Sequence, residues 1–118
     1  MRESELIYKV MQELGKHGAV YRCNSGSVRL ESGKYFRALP EGFADIMVIL
    51  PGGKTCFVEC KVKPNKLTEK QIAFIDKVKD LGCSAGVAYS VEEAKKICGL
   101  YDGMAQLASE YLPYRFRT

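Results

Sequence analysis

Two apolar runs separated by a tight turn constrain this chain more than any other part of its sequence. Residues 45–50 read Asp-Ile-Met-Val-Ile-Leu, residues 55–62 read Thr-Cys-Phe-Val-Glu-Cys-Lys-Val, and the sequence Pro-Gly-Gly occupies 51–53. Apolar and β-branched runs of this length favour strands, whereas proline and glycine favour a turn. The pattern therefore predicts a hairpin of two adjacent buried strands.

Amphipathic helices are predicted on both sides of this hairpin. A first helix is indicated by apolar residues at helical spacing that stop at a glycine-containing segment, residues 15–18; they are Leu6, Ile7, Val10, Met11 and Leu14. Thr68 stands where an N-cap is needed, with Gln71 three residues later, so a second helix is expected from Thr68 to Gly82. Ser90 is expected to cap a third helix.

The order of these elements defines the expected fold class. Short strands are predicted over residues 19–23 and 85–89, a further helical stretch over 103–111, and no definite structure over 28–37. The resulting order is αβββαβα, with a crossover helix before the last strand. Such an order predicts an α/β fold with a mixed β-sheet flanked by helices, in a single domain spanning residues 1–118.

Composition excludes several classes of protein. Of 118 residues, 47% are hydrophobic and 27% are charged, which is the balance of a globular protein, and no stretch approaches the roughly 20 apolar residues of a membrane span. Five cysteines without a C-x-x-C spacing fit neither a disulfide framework nor a zinc ribbon. With acidic residues near the N-terminus instead of a signal sequence, an intracellular, cytoplasmic protein with reduced thiols and no membrane association is expected.

Charge gives only a weak indication of the partner. The formal net charge is +4, and a basic cluster lies just after the hairpin: Lys61, Lys63, Lys66 and Lys70. A polyanionic partner would fit this balance, but many globular proteins carry such a charge on a solvated face.

Three charged residues of the hairpin are the candidates for chemistry. Alternation along a strand places Glu59 and Lys61 on one face, and the hairpin can bring Asp45 beside Glu59. Buried charges are costly unless they are paired or hold a metal. Two carboxylates would suit Mg²⁺, which activates water and neutralises charge on a phosphate, and Lys61 could orient that water or stabilise the transition state. The alternative is that Glu59 and Lys61 form an exposed edge-strand pair and Asp45 caps the strand entry.

Wider sequence context resembles one nuclease family. The chain is similar to the VRR-Nuc family, the virus-type replication-repair nucleases of the PD-(D/E)xK superfamily, over about residues 3–98. The similar segments read Gly-Phe-Ala-Asp at 42–45, Pro-Gly-Gly-Lys at 51–54, Phe-Val-Glu-Cys-Lys at 57–61, Lys-Leu-Thr-Glu-Lys-Gln at 66–71 and Leu-Gly at 81–82. Segments 22–26 and 87–93 also resemble small phage and bacterial members. Ala44 stands where the superfamily has proline, which removes a backbone constraint but no ligand.

The resemblance implies a restriction-endonuclease-like core and a metal site. It implies that Asp45 and Glu59 bind Mg²⁺ or Mn²⁺, that the Cys60 backbone carbonyl adds a ligand, and that Lys61 serves the nucleophilic water. Glu3 would complete the acidic cluster, with Glu5 as the fallback; the alternative for Glu3 is a solvated charge that is favourable at a helix N-terminus. Gln71 matches a glutamine of the family, and a capping-box role explains it equally well.

The resemblance also implies the substrate and the assembly. We expect a metal-dependent, structure-selective DNA endonuclease similar to Holliday-junction resolvases that act as homodimers. A non-catalytic DNA-binding module with a retained nuclease fold is the alternative. Candidate nucleic-acid contacts are Arg22, Asn24, Ser25, Lys63 and Lys66, with Arg29, Lys34 and Arg37 as further backbone contacts.

Overall fold

The computed structural model describes residues 1–23 and 26–100. In chain order the elements are α1 (Glu3–Leu14), β1 (Ala19–Arg22), β2 (Val28–Arg29), β3 (Tyr35–Phe36), β4 (Ile46–Ile49), β5 (Thr55–Cys60), α2 (Glu69–Asp80), β6 (Ser84–Ala88) and α3 (Val91–Ile97). The predicted helical stretch over 103–111 and the candidate contacts Asn24 and Ser25 lie outside the described residues. Within the described part, no helix is long and apolar enough to span a membrane.

The main sheet has four strands in the order β1, β4, β5, β6. Strand β4 is antiparallel to β1 and β5, whereas β5 and β6 are parallel and are connected through α2. Without the small β2–β3 pair, the order along the chain is αβββαβα, so the predicted mixed sheet flanked by helices is confirmed. The predicted hairpin is also confirmed: β4 and β5 pair from Ile46 with Val58 to Ile49 with Thr55.

One face of the sheet carries the hydrophobic core. Helices α1 and α3 contact each other and cover this face. Cys56, Val58 and Cys60 of β5 point into it and are fully buried. Because side chains alternate along a strand, Phe57 and Glu59 point to the opposite face, towards α2. Strand β5 therefore separates the core from the side that carries the candidate site.

Helix α2 covers the second face less completely than its sequence suggests. Its N-terminus has the predicted capping box between Thr68 and Gln71, and Gly82 follows the last turn at φ +98°. Among the large apolar side chains of α2 only Ile75 is buried, whereas Ile72 is exposed, as is Leu81 directly after the helix.

Strand β5 is two residues shorter than predicted: it ends at Cys60, whereas the apolar run continues to Val62. Its pairing with β4 extends only to Val58, and after one more hydrogen bond, from the Lys61 amide to the Ala88 carbonyl, the chain turns away over residues 62–65. Lys61 consequently lies at the mouth of the site and is half-buried.

The segment without a definite prediction forms a small hairpin. Strands β2 and β3 pair antiparallel, Val28 with Phe36 and Arg29 with Tyr35, in a two-stranded sheet of their own. All four residues are exposed, so no burial periodicity marks the strands in the sequence.

Candidate active site

Asp45 and Glu59 meet at the end of the β4–β5 hairpin. The register that pairs Ile46 with Val58 places Asp45 opposite Glu59, and the Asp45 amide donates a hydrogen bond of 3.2 Å to Glu59 Oε2. Glu59 is only 4% exposed, whereas the Asp45 side chain is 18% exposed. The predicted convergence of the two carboxylates is present in the structure, with Glu59 inside and Asp45 towards solvent.

The surroundings of Glu59 disfavour its charged form. Burial, the nearby negative charge of Asp45 and a hydrogen bond with the Asp45 carboxylate raise the pKa of Glu59 from 4.5 to about 8, against a smaller lowering by Lys61. A carboxyl with a pKa this high retains a proton at neutral pH unless a cation compensates its charge. The site thus has a shortage of positive charge at the point where the two acids meet.

Backbone and side-chain donors fix the orientation of Asp45. The Cys60 amide donates to Asp45 Oδ2 at 2.9 Å. Arg22 Nη1 donates to the Asp45 carbonyl at 3.0 Å, to the Cys23 carbonyl at 2.6 Å and to Asp45 Oδ1 at 3.5 Å. Arg22, predicted from the sequence as a nucleic-acid contact, is therefore also a partner of the acidic pair, which sequence reasoning missed.

Gln71 joins the helix cap to the acidic pair. Its Oε1 accepts from the Thr68 amide at 2.9 Å, and its own amide donates to Thr68 Oγ1 at 3.2 Å, which completes the capping box. Its Nε2 donates to Glu59 Oε1 at 3.0 Å. The two roles considered for Gln71 occur together, because opposite ends of one amide group serve the helix and the carboxylate.

Packing between the strand entry and α2 holds Asp45 in place. Gly42 has φ +91°, and a Cβ there would lie 2.5 Å from the Lys70 carbonyl oxygen, so only glycine fits this contact. Phe43 then packs against Phe57 of β5 and Phe74 of α2, with ring centroids 5.7 and 4.5 Å away. These contacts place the segment before Asp45 against α2.

Lys61 is close enough to influence Glu59 electrostatically. Its positive charge is one of the factors that lower the pKa of Glu59. Within residues 1–23 and 26–100, the ammonium group has neither a hydrogen bond nor an ion pair, so it is available at the mouth of the site.

Glu3 lies at the edge of the site and has a partner that the sequence did not suggest. Asn65 Nδ2 donates to Glu3 Oε2 at 3.0 Å, and the Tyr89 hydroxyl donates to the Asn65 carbonyl at 2.9 Å. Burial raises the pKa of the Cys60 thiol to about 12, and the charges of Asp45, Glu59 and Glu3 contribute to this rise. Glu3 therefore adds to the negative potential at the end of β5.

The donor set fits a magnesium-like ion. Mg²⁺ binds proteins through one or two carboxylates and keeps several waters, and Asp45 with Glu59 meets that requirement. A cation would also relieve the repulsion that raises the pKa of Glu59. Among the described residues, no group of three or more His, Cys, Asp or Glu side chains is placed to hold a metal, so the roles of Glu3 and the Cys60 carbonyl stay predictions.

Two other predicted nucleic-acid contacts follow Lys61 in the chain. Lys63 and Lys66 are exposed in the loop between β5 and α2, and Lys63 Nζ lies 5.9 Å from the centre of the Tyr89 ring. Lys70 forms an ion pair with Glu41. Contact of these residues with nucleic acid stays a prediction.

Comparisons with known proteins agree with this geometry. The family model described as the VRR-NUC domain matches residues 5–92. A solved structure described as a VRR_NUC domain aligns with a TM-score of 0.60 and 22% identity, covering 84% of this chain and 96% of that one. The small subunit of the heterodimeric restriction endonuclease R.BspD6I aligns with a TM-score of 0.34 and 20% identity, covering 68% of this chain and 44% of that one, which establishes no common fold. No curated protein matches significantly.

The mixed sheet and its flanking helices thus define a nuclease domain with a restriction-endonuclease-like fold. More particularly, because the family model matches most of the chain, the chain belongs to the VRR-NUC domain family.

Proposed function

We propose that the protein is a metal-dependent DNA endonuclease whose active site is built from Asp45, Glu59 and Lys61. The observation that carries the proposal is the convergence of the Asp45 and Glu59 side chains on the fold of a nuclease family, where the Asp45 backbone amide donates a 3.2 Å hydrogen bond to Glu59 Oε2. The raised pKa of Glu59 supports it, because a buried acid beside a second acid favours binding of a cation.

Asp45 and Glu59 would hold Mg²⁺ or Mn²⁺, while Lys61 acts on the reacting phosphate. The divalent ion, when bound, supplies positive charge to the phosphate and lowers the pKa of a water molecule. Lys61 lies at the mouth, where its ammonium group can orient the attacking water and stabilise the charge that develops on the phosphate oxygens. Loss of such a group typically lowers a cleavage rate by about 10²-fold to 10³-fold.

Arg22 and Gln71 act as positioning residues. Arg22 fixes the backbone and carboxylate of Asp45, and Gln71 fixes Glu59 from the first turn of α2. Replacing Gln71 by alanine is expected to slow cleavage and raise the metal concentration for half-maximal activity, because Glu59 loses a fixed donor. Thr68→Ala is the matched control: it weakens the same helix cap by about 1 kcal/mol and leaves the Glu59 contact in place. If both variants needed the same metal concentration for half-maximal activity, a positioning role for Gln71 would be contradicted.

The substrate we infer is branched or otherwise structured DNA, as for a Holliday-junction resolvase, and the assembly is a homodimer. The residues that the structure describes contain one such acidic pair, so symmetric cutting of two strands calls for a two-fold pair of chains. Sedimentation measurements over a range of concentrations, with and without DNA, test the assembly. A strict monomer under all these conditions would refute it.

The direct test is cleavage of labelled four-way junctions, flaps, nicked duplexes and linear duplexes in Mg²⁺, Mn²⁺ or EDTA. Wild-type protein is compared with Lys61→Ala and Asp45→Asn. We expect cleavage that requires a divalent metal and is lost in both variants. Comparison of the cleavage rates of the different DNAs identifies the preferred DNA structure.

A non-catalytic DNA-binding module is the second candidate, and one observation favours it. Within the described part of the chain, no third His, Cys, Asp or Glu side chain joins Asp45 and Glu59 in a group that could hold a metal. This candidate expects DNA binding that weakens with salt but depends on neither Mg²⁺ nor Mn²⁺. Binding without cutting of any DNA in either metal would refute the endonuclease.

A further inference from the structure

The β2–β3 hairpin belongs to the segment between Cys23 and Asp45, which begins and ends beside the candidate active site. The Cys23 amide donates to the Asp45 carbonyl at 2.7 Å, so the chain between these residues leaves and returns at Asp45. On the returning side, Gly42 packs against the Lys70 backbone. The segment that carries the hairpin therefore begins and ends beside Asp45.

The two faces of the hairpin differ in chemistry. Paired residues of an antiparallel ladder share a face, so Val28 and Phe36 lie on one face and Arg29 and Tyr35 on the other. The Leu30 amide donates to the Lys34 carbonyl at 2.7 Å across the turn. By alternation, Leu30 extends the apolar face of Val28 and Phe36.

These side chains are more exposed than folding alone would favour. Tyr35 is 69% exposed, Val28 61%, Phe36 55% and Leu30 46%. Two strands of two residues do not bury enough apolar surface to be stable by themselves. Val28, Phe36 and Leu30 form an exposed apolar face, and Tyr35 adds an exposed ring on the other face. Apolar side chains that stay exposed together in this way mark a binding surface.

Charge decides which partner fits this surface. Residues 28–37 contain three basic side chains, Arg29, Lys34 and Arg37, against one acidic side chain, Glu31. A net positive hairpin attracts a polyanion, and it disfavours symmetric contact with the same hairpin of a second copy. Aromatic and basic side chains together are the composition that binds bases and phosphates of opened nucleic acid.

We propose that the β2–β3 hairpin is a wedge that contacts unstacked bases where a DNA duplex opens, and thereby makes this protein bind branched DNA in preference to continuous duplex. The inference rests on the proposed function and names the feature of the DNA that the site recognises. A continuous duplex keeps its base faces stacked and hidden, whereas a fork or junction exposes them to an apolar wedge. The basic side chains contact the flanking phosphates and do not discriminate between the two.

The test measures DNA binding, without cleavage, by variants that lack either the aromatic rings or the basic charges of the hairpin. The full chain carrying Asp45→Asn is titrated, in EDTA, onto a forked DNA with 2-aminopurine at the branch and onto a linear duplex with the same label. The double variant Tyr35→Ser/Phe36→Ser removes the rings and keeps the charges. The matched control Arg29→Gln/Lys34→Gln removes two charges and keeps the rings.

The wedge predicts different losses in the two variants. Loss of the rings weakens binding to the fork about tenfold to a hundredfold, abolishes the change in 2-aminopurine fluorescence, and changes binding to linear duplex less than about threefold. Loss of the charges weakens binding to both DNAs by similar factors and lowers the salt slope by about 2. Because the rings are exposed, far-UV circular dichroism should be unchanged; the single variant Phe36→Ser repeats the test if the double variant does not fold.

Two results would overturn the wedge. Equal losses on fork and duplex in the ring variant would show ordinary groove binding. A wild-type dimer that dissociates in the ring variant, with fork preference retained, would show that the hairpin contacts a second copy. Fork preference that depends on the rings, in a protein that cuts no DNA, would support the wedge while refuting the endonuclease.

Discussion

Replacing Glu59 by glutamine should stabilise the metal-free protein and abolish its activity. The folded protein raises the pKa of Glu59 from 4.5 to about 8 through burial and the charge of Asp45. Its contribution to stability is fully present below the unfolded pKa and is lost as pH rises towards the folded pKa. Glutamine has the shape of the protonated acid and stays neutral at every pH. Its NH2 group cannot accept a hydrogen bond, so either the bond from Gln71 Nε2 or the bond from the Asp45 amide is lost, which costs about 1 kcal/mol at every pH.

The magnitude follows from the same shift. The pKa of Glu59 rises from 4.5 to about 8 on folding. At about 1.4 kcal/mol per pH unit, the free energy of unfolding of the wild type is therefore about 3 kcal/mol lower at pH 7 than at low pH. Water at the mouth of the site and local relaxation reduce this value. We therefore expect the free energy of unfolding of Glu59→Gln to exceed that of the wild type by about 1–3 kcal/mol at pH 7.5 and to equal it near pH 5.

Urea unfolding in EDTA at pH 5, 6.5 and 8 measures the difference between the two proteins. Titrating groups that do not interact with Glu59 cancel in this difference. The Cys56 thiol, whose pKa a hydrogen bond with Cys98 lowers to about 7, is present in both proteins. Cleavage by Glu59→Gln should fall by at least about 10²-fold. A difference in stability that does not grow with pH, or a variant less stable than the wild type at pH 8, would refute the reasoning.

Two further predictions concern the surroundings of the acidic pair. Gly42→Ala should destabilise the protein by about 2–4 kcal/mol in urea unfolding, because it adds a Cβ 2.5 Å from the Lys70 carbonyl oxygen to the strain at φ +91°. Gly82→Ala has similar strain at φ +98° and open space, so it should cost only about 1 kcal/mol; equal losses would exclude the clash. Glu3→Gln should raise the metal concentration for half-maximal cleavage about threefold to tenfold by reducing the negative potential. Glu5 is exposed, so Glu5→Gln should leave this metal concentration unchanged. A larger effect of Glu5→Gln than of Glu3→Gln would show that Glu5, and not Glu3, completes the acidic cluster.

Much of the fold could be predicted because its signals are local. The capping box at Thr68, the hairpin turn at 51–53 and the glycine after α2 each depend on residues a few positions apart, and the structure confirms them. The β2–β3 hairpin could not be predicted, since strands exposed on both faces have no apolar alternation. The end of β5 at Cys60 coincides with the end of its parallel neighbour β6 at Ala88, which the sequence of β5 does not contain.

The acidic pair was predictable for the same reason, whereas its supporting contacts were not. A hairpin register brings Asp45 to Glu59 almost independently of the rest of the chain. The contacts of Arg22 with Asp45 and of Asn65 with Glu3 join residues 23 and 62 positions apart, and they depend on how whole elements pack. No short pattern in the sequence marks such pairs.

The amide group of Gln71 has a consequence for the dynamics of the site. One end of this group closes the first turn of α2 and the other end holds the Glu59 carboxylate. Helix ends are the parts of a fold that open most readily, and opening of this turn would release Glu59 at the same moment. Metal affinity and fraying of the helix are therefore linked equilibria: a bound ion should slow hydrogen exchange in the first turn of α2.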